Sequence, residues 1–170
     1  CNKTFYLVDL RTNTVIDSLK CDDDRSSDLD WWWSCEAIGK ILELNPKSHE
    51  GTFLKGRFHL AKREYHEAIN LLQAYLKDNP QSFLAHRFLG LAYLANGETQ
   101  QAKNELTEAI KLNPDLTEAR LLLADLHLRT GAPDLAIEEA QKILEKDSKS
   151  TQARLILSNA YFQKRDVKKA

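Results

Sequence analysis

Apolar, small and ring-bearing positions recur along this chain with a single period. Leu89, Leu123 and Leu157 lie 34 residues apart, with Lys55 breaking the series one step earlier. Ala68, Ala102, Ala136 and Ala170 keep that spacing, and so do the small residues Gly56, Gly90, Ala124 and Ser158. His59, Tyr93, His127 and Tyr161 form a ring-bearing series. Pro46, Pro80 and Pro114 each follow an asparagine, and the next step lands on Ser148 after Lys146-Asp147. A fixed period of this length predicts stacked supersecondary repeats, whose main product is a surface. Small residues at fixed points let helices approach closely. Each proline ends a helix, because it lacks an N–H and disfavours helix in the residue before it. The pattern places first helices at about 49–61, 83–95, 117–129 and 151–163, and second helices at about 30–44, 65–77, 99–111 and 133–145. Gly97 and Gly131 open turns inside two pairs, Pro133 sits at a helix start, and Asp115 with Glu118 has the spacing of a capping box.

The stretch Ala85-His86-Arg87-Phe88-Leu89-Gly90-Leu91-Ala92-Tyr93, followed by Ala102, Leu106, Ala109 and Pro114, resembles a tetratricopeptide repeat of a divergent, bacterial-looking kind. The family usually has a tryptophan early in the first helix, where this chain has Thr52, His86, Arg120 and Arg154. The resemblance covers about 30–170, as a half-repeat at 30–46, repeats at 49–80, 83–114 and 117–148, and a partial repeat at 151–170. It implies an all-α fold, a right-handed α-solenoid of helix pairs. Residues 1–29 stand apart. Two β-prone runs, 4–10 and 15–19, flank a turn at 11–14 and predict a short hairpin, and an acidic linker follows. Asp28 or Asp30 then caps the helix at 30–44.

Composition narrows the function. The net charge of the 170 residues is −1, with both signs interspersed, so no basic stripe points to nucleic acid. No apolar run reaches the length of a membrane span. The start at Cys1 and an end in mid-repeat lead to the expectation of a fragment of a longer repeat protein, and the compartment stays unassigned. Cys1, Cys21 and Cys35 match no zinc spacing, which leaves reduced thiols, a disulfide from Cys1 or Cys21 to Cys35, or an acylated Cys1. Asp22, Asp24, Ser26, Asp28 and Asp30 alternate as in a calcium loop. The mid-loop glycine and closing glutamate are missing, so a solvated linker is expected.

No phosphate loop, nucleophile elbow or His-Glu-x-x-His occurs, and the histidines lack metal-ligand spacing, so neither enzyme, cofactor nor metal is expected. His59 and His127 occupy the ring position and read as packing residues. Trp31-Trp32-Trp33 is the strongest local anomaly. Successive helical side chains turn by ~100°, so the three cannot share one narrow stripe. They are expected to close an end of the solenoid, or else to form an end contact with a partner.

The resemblance implies a protein-interaction scaffold that takes a peptide or helix in its concave groove. The implied lining is Phe53, Arg57, Arg87, Leu91, Leu121, Asp125, Leu155 and Asn159. Chaperone-binding members of the family grip a C-terminal carboxylate at points held here by Phe53, Arg57, Phe88, Glu118 and Leu122. Only Arg57 suits that task, and Glu118 repels a carboxylate, so acidic chaperone tails are not the expected ligand. The alternative function is an accessory region of an enzyme, or of a secretion or polysaccharide-export assembly factor, whose other domain lies outside this chain. Apolar residues around more than one face of the helix at 151–163 lead to the further expectation of self-association through that end.

Overall fold

The structure, a computed structural model, describes residues 3–9, 14–21 and 49–167. The helix expected at 30–44, Trp31-Trp32-Trp33, Cys1, Cys35 and the acidic linker lie outside the described residues. Near the N-terminus, β1 (Lys3–Asp9) pairs antiparallel with β2 (Thr14–Cys21), Lys3 opposite Cys21 and Asp9 opposite Thr14. Seven helices follow among the described residues: α1 (His49–Ala61), α2 (Tyr65–Asp78), α3 (Phe83–Ala95), α4 (Thr99–Leu112), α5 (Thr117–Arg129), α6 (Pro133–Lys146) and α7 (Thr151–Val167). They form a right-handed α-solenoid in which each helix packs on its sequence neighbours.

The turns inside the pairs explain why the chain reverses where it does. Arg63, Gly97 and Gly131 stand one period apart, and all three have positive φ, at 64°, 85° and 72°. This left-handed residue lets the next N–H reach back five residues. Glu64, Glu98 and Ala132 donate to the carbonyls of His59, Tyr93 and His127 at 2.9, 2.8 and 2.8 Å. Such a cap satisfies carbonyls that the helix leaves open. Glycine adopts the conformation freely, whereas Arg63 takes it at a cost of about 1 kcal/mol.

Between pairs, an asparagine or aspartate orders the boundary. Asn113 and Asp147 accept from the backbone N–H groups of Asp115 and Lys149 at 3.1 and 3.0 Å. Ser82 and Ser150 then cap α3 and α7, accepting from Ala85 and Ala153. The capping box expected of Asp115 and Glu118 does not form. Helix α5 starts from Leu116, so both residues are out of register with the box, and Asp115 pairs with Lys146 while Glu118 pairs with Arg87.

The series at the usual tryptophan position has a structural role. His86 faces Glu105 at 2.7 Å and the carbonyl of Pro80 at 3.0 Å. One period on, Arg120 donates to Glu139 at 2.5 Å and to the carbonyl of Pro114 through Nε and Nη2 at 3.2 and 3.1 Å. Arg154 donates to the carbonyl of Ser148 at 2.6 Å. A polar clasp thus ties the boundary turn to the helix that follows it. In two repeats it also reaches the second helix of the pair.

Within a pair the helices meet at a small residue. A Cβ placed on Gly56 would sit 2.9 Å from Leu72 Cγ, and one on Gly90 would sit 2.9 Å from Leu106 Cγ. In the next pair Ala124 replaces the glycine and Ala140 replaces the leucine, both fully buried. Volume gained on one side is given up on the other. Gly90→Ala is therefore expected to destabilise by about 1–3 kcal/mol. Combined with Leu106→Ala, it should cost clearly less than the sum of the single changes in urea unfolding, and strict additivity would refute the compensation.

His127 fills the ring position with a polar side chain. Its Nδ1 is buried without a hydrogen bond. Burial first, then Lys103 on α4, hold the imidazole below its ordinary range against the weaker opposing pull of Glu139 and Glu138 on α6. A depressed folded value means that the unfolded chain binds the proton first. This contribution is whole above about pH 6.5 and is lost as pH falls below it. The melting temperature should drop on acidification, and His127→Tyr, which copies Tyr93, should shrink that drop. An unchanged pH profile in the variant would count against the assignment.

Candidate functional site

Helix α1 touches α3 and α5 touches α7, while among the described residues no second helix packs on another to a comparable degree. Phe53 and Arg57 stand on α1, Arg87 and Leu91 on α3, Leu121 and Asp125 on α5, and Leu155 and Asn159 on α7.

These residues divide into two groups. Phe53, Arg57 and Arg87 come together around Phe88. The Phe53 and Phe88 rings meet edge to face, with centroids 5.8 Å apart, and Phe53 also packs on Tyr75 of α2 at 5.0 Å. The Arg57 guanidinium carbon lies 4.7 Å from the Phe88 centroid and 5.7 Å from that of Phe53. The Arg87 carbon lies 4.4 Å from the Phe88 centroid. Both contacts are within the range of cation–π attraction. The periodic rise of the helices, α1 to α3, places two cations on one ring.

The two arginines are electrostatically unlike. Arg87 donates through Nη1 to Glu118 of α5 at 2.6 Å, and its side chain is only 17% exposed against 66% for Glu118. Its Nε is buried without a hydrogen bond. Arg57 is exposed and has no ion pair among the described residues. Among the described residues, Glu118 thus pairs with Arg87 and not with Arg57.

The second group is not joined to this cluster. Leu121 is half-buried and packs toward Ala140, Ile143 and Ala153, which gives it a share of the α6–α7 core. Asp125 pairs with Arg129 on its own helix at 2.7 Å. Leu91 is half-buried, and Leu155 and Asn159 are exposed. Sequence reasoning treated Phe88 and Glu118 only as replaced clamp positions and missed Tyr75, which lies on a second helix. The signal for Phe88 was its place next to Arg87 and one period from Leu54 and Leu122 on the same helix type. Among the described residues no cluster of three or more His, Cys, Asp or Glu side chains could hold a metal, and no helix is long and apolar enough to cross a membrane.

The family model of the tetratricopeptide repeat matches residues 36–83, 53–102 and 89–151. Members of that family are generally without catalytic activity. No curated protein sequence matches the chain. Among solved structures, the crystal structure of a MamA protein is similar with a TM-score of 0.71 at 25% identity, over 81% of this chain and 75% of that one. A tetratricopeptide repeat protein from Parabacteroides merdae gives 0.72 at 19% identity, over 82% of this chain and 57% of that one. The first tetratricopeptide repeat domain of Spaghetti (RPAP3), solved bound to the HSP90 peptide SRMEEVD, gives 0.63 at 18% identity, over 66% of this chain and 90% of that one. With family matches that together span 36–151 and helix pairs that recur every 34 residues, this chain belongs to the tetratricopeptide repeat family.

Proposed function

We propose that this chain is a non-catalytic scaffold that holds a peptide or helical segment of a partner protein against its first helices. The observation that carries this reading is the pairing of Arg57 and Arg87 over Phe88, with Phe53 and Tyr75 behind it. Aromatic rings and arginines are the side chains that anchor protein interfaces. Leu91 on α3 and Leu121 on the next first helix, α5, supply apolar area. Leu155 and Asn159 extend the strip, and Asp125, tied to Arg129, sets a polar border. An extended or helical segment with aliphatic anchors and an acidic side chain fits this distribution. The Spaghetti structure contains a bound peptide, so the fold has the shape for one. This chain's Phe53, Phe88, Glu118 and Leu122 make a different chemistry from a carboxylate clamp.

Peptides selected from a display library on the purified protein should be enriched in aliphatic residues flanking an acid. A synthetic, acetylated and amidated representative should lose tenfold or more in affinity, ~1.4 kcal/mol, in Arg57→Glu/Arg87→Glu measured by calorimetry. Undiminished affinity in that variant would reject this face as the binding site.

A second contact surface is supported by α7. Leu155, Tyr161 and Phe162 are 61%, 49% and 67% exposed. Apolar area of this kind is commonly covered by association. A second copy of the chain is the proposed cover. Sedimentation should show concentration-dependent association that Leu155→Ser/Phe162→Ser abolishes, and a strictly monomeric wild type would exclude it.

A further inference from the structure

Glu118 on α5 pairs across to Arg87 on α3. Its carboxylate is largely in water, yet it reaches back one repeat to Arg87, which is largely buried. A single bond, Arg87 Nη1 to Glu118 Oε2, joins them. A carboxylate can bind guanidinium with two parallel bonds, and such pairs are the stronger ones. The Nε of Arg87 still has no acceptor. Glu118 therefore holds Arg87 in a form that is paired but incompletely satisfied. Arg57 and Arg87 both lie against the Phe88 ring, and among the described residues Glu118 pairs with one of them.

We propose that Glu118 is a built-in competitor for the partner's acid, a specificity residue that an incoming carboxylate must displace from Arg87. The proposal rests on the reading of the first-helix face as a binding surface. The occupant is a segment carrying an acidic side chain between aliphatic ones, and the acid, not a chain terminus, meets the arginines. Arg57 attracts it first, being exposed and without a competing ion pair among the described residues. Exchange of carboxylates on Arg87 then releases Glu118 to water at small cost, since Glu118 is already mostly solvated. A neutral ligand leaves the Arg87–Glu118 pair in place and gains nothing from its loss. The device lowers affinity for any single weak acid and so favours ligands that also supply the apolar anchors.

The experiment compares three peptides on wild-type and Glu118→Gln protein: an acetylated and amidated peptide with one glutamate between leucines, its glutamine counterpart, and that counterpart with a free C-terminal carboxylate. Glu118→Gln should bind the glutamate peptide about threefold to fivefold more tightly, the worth of one exposed ion pair. The glutamine peptide should be unaffected, and the gain should vanish in Arg87→Gln/Glu118→Gln. Equal change for the glutamate and glutamine peptides, or a gain that follows the free terminus, would overturn the assignment while leaving the binding face intact. Failure of all peptides to perturb Phe53, Leu91 and Leu121 resonances would instead overturn the face itself. Sodium acetate, followed at the Arg87 Nε–H resonance, tests the exchange without a peptide. The resonance should respond at lower acetate in Glu118→Gln, and superimposable titrations would refute the competition.

Discussion

The close approach of two helices inside each pair is the constraint on which the rest depends. A helix pair has too little area to bury its own apolar face and must stack on the next. Stacking with a constant step requires each pair to have the same thickness. Gly56 against Leu72 and Gly90 against Leu106 set that thickness by leaving no space for a Cβ. Ala124 and Ala140 reach a similar end with a different division of volume, and both are fully buried. The fully buried alanines Ala68, Ala102 and Ala136 keep the second helices equally close to their neighbours.

On this frame the polar residues act in two registers. His86, Arg120 and Arg154 bond the carbonyl at the preceding boundary turn, and the first two also pair with Glu105 and Glu139. The His86 and Arg120 clasps are half-buried and that of Arg154 is exposed, and they stand in for the large aromatic side chain usual at that point. A second register runs between repeats, with Arg87 to Glu118, Lys146 to Asp115 and Lys164 to Asp134. Exposed pairs of the latter kind contribute little to stability. Their effect is to decide which charges stay available on the surface, and among the described residues Arg87 is paired and Arg57 is not.

The cluster around Phe88 shows how a repeat yields a site through departure from its own pattern. Arg57 on α1 and Phe88 and Arg87 on α3 are not period-related: one period after Arg57 stands Leu91, and one period before Arg87 stands Phe53. Because the helices stack side by side, unlike residues at equivalent heights become neighbours. A cation, a ring and a second cation then overlap without any local sequence motif.

The 34-residue recurrence by itself determined the helix pairs, the small residues at their crossings and the glycine turns, because each repeat packs only on its neighbours and local patterning suffices. The resemblance to the tetratricopeptide repeat family, and not the recurrence alone, implied Phe53, Arg57 and Arg87 as groove candidates. The recurrence did not reveal that Arg63 takes the left-handed turn, since a non-glycine there is tolerated only when flanking helices hold it. Nor did it reveal the failure of the Asp115–Glu118 box, where Lys146 and Arg87 from the neighbouring helices draw the two acids away. The tertiary structure alone decided that Arg87 is neutralised by Glu118, because a side-chain pair 31 residues apart in sequence forms only when two repeats are stacked. Periodicity fixes where side chains start, and the distance between helices decides which of them meet.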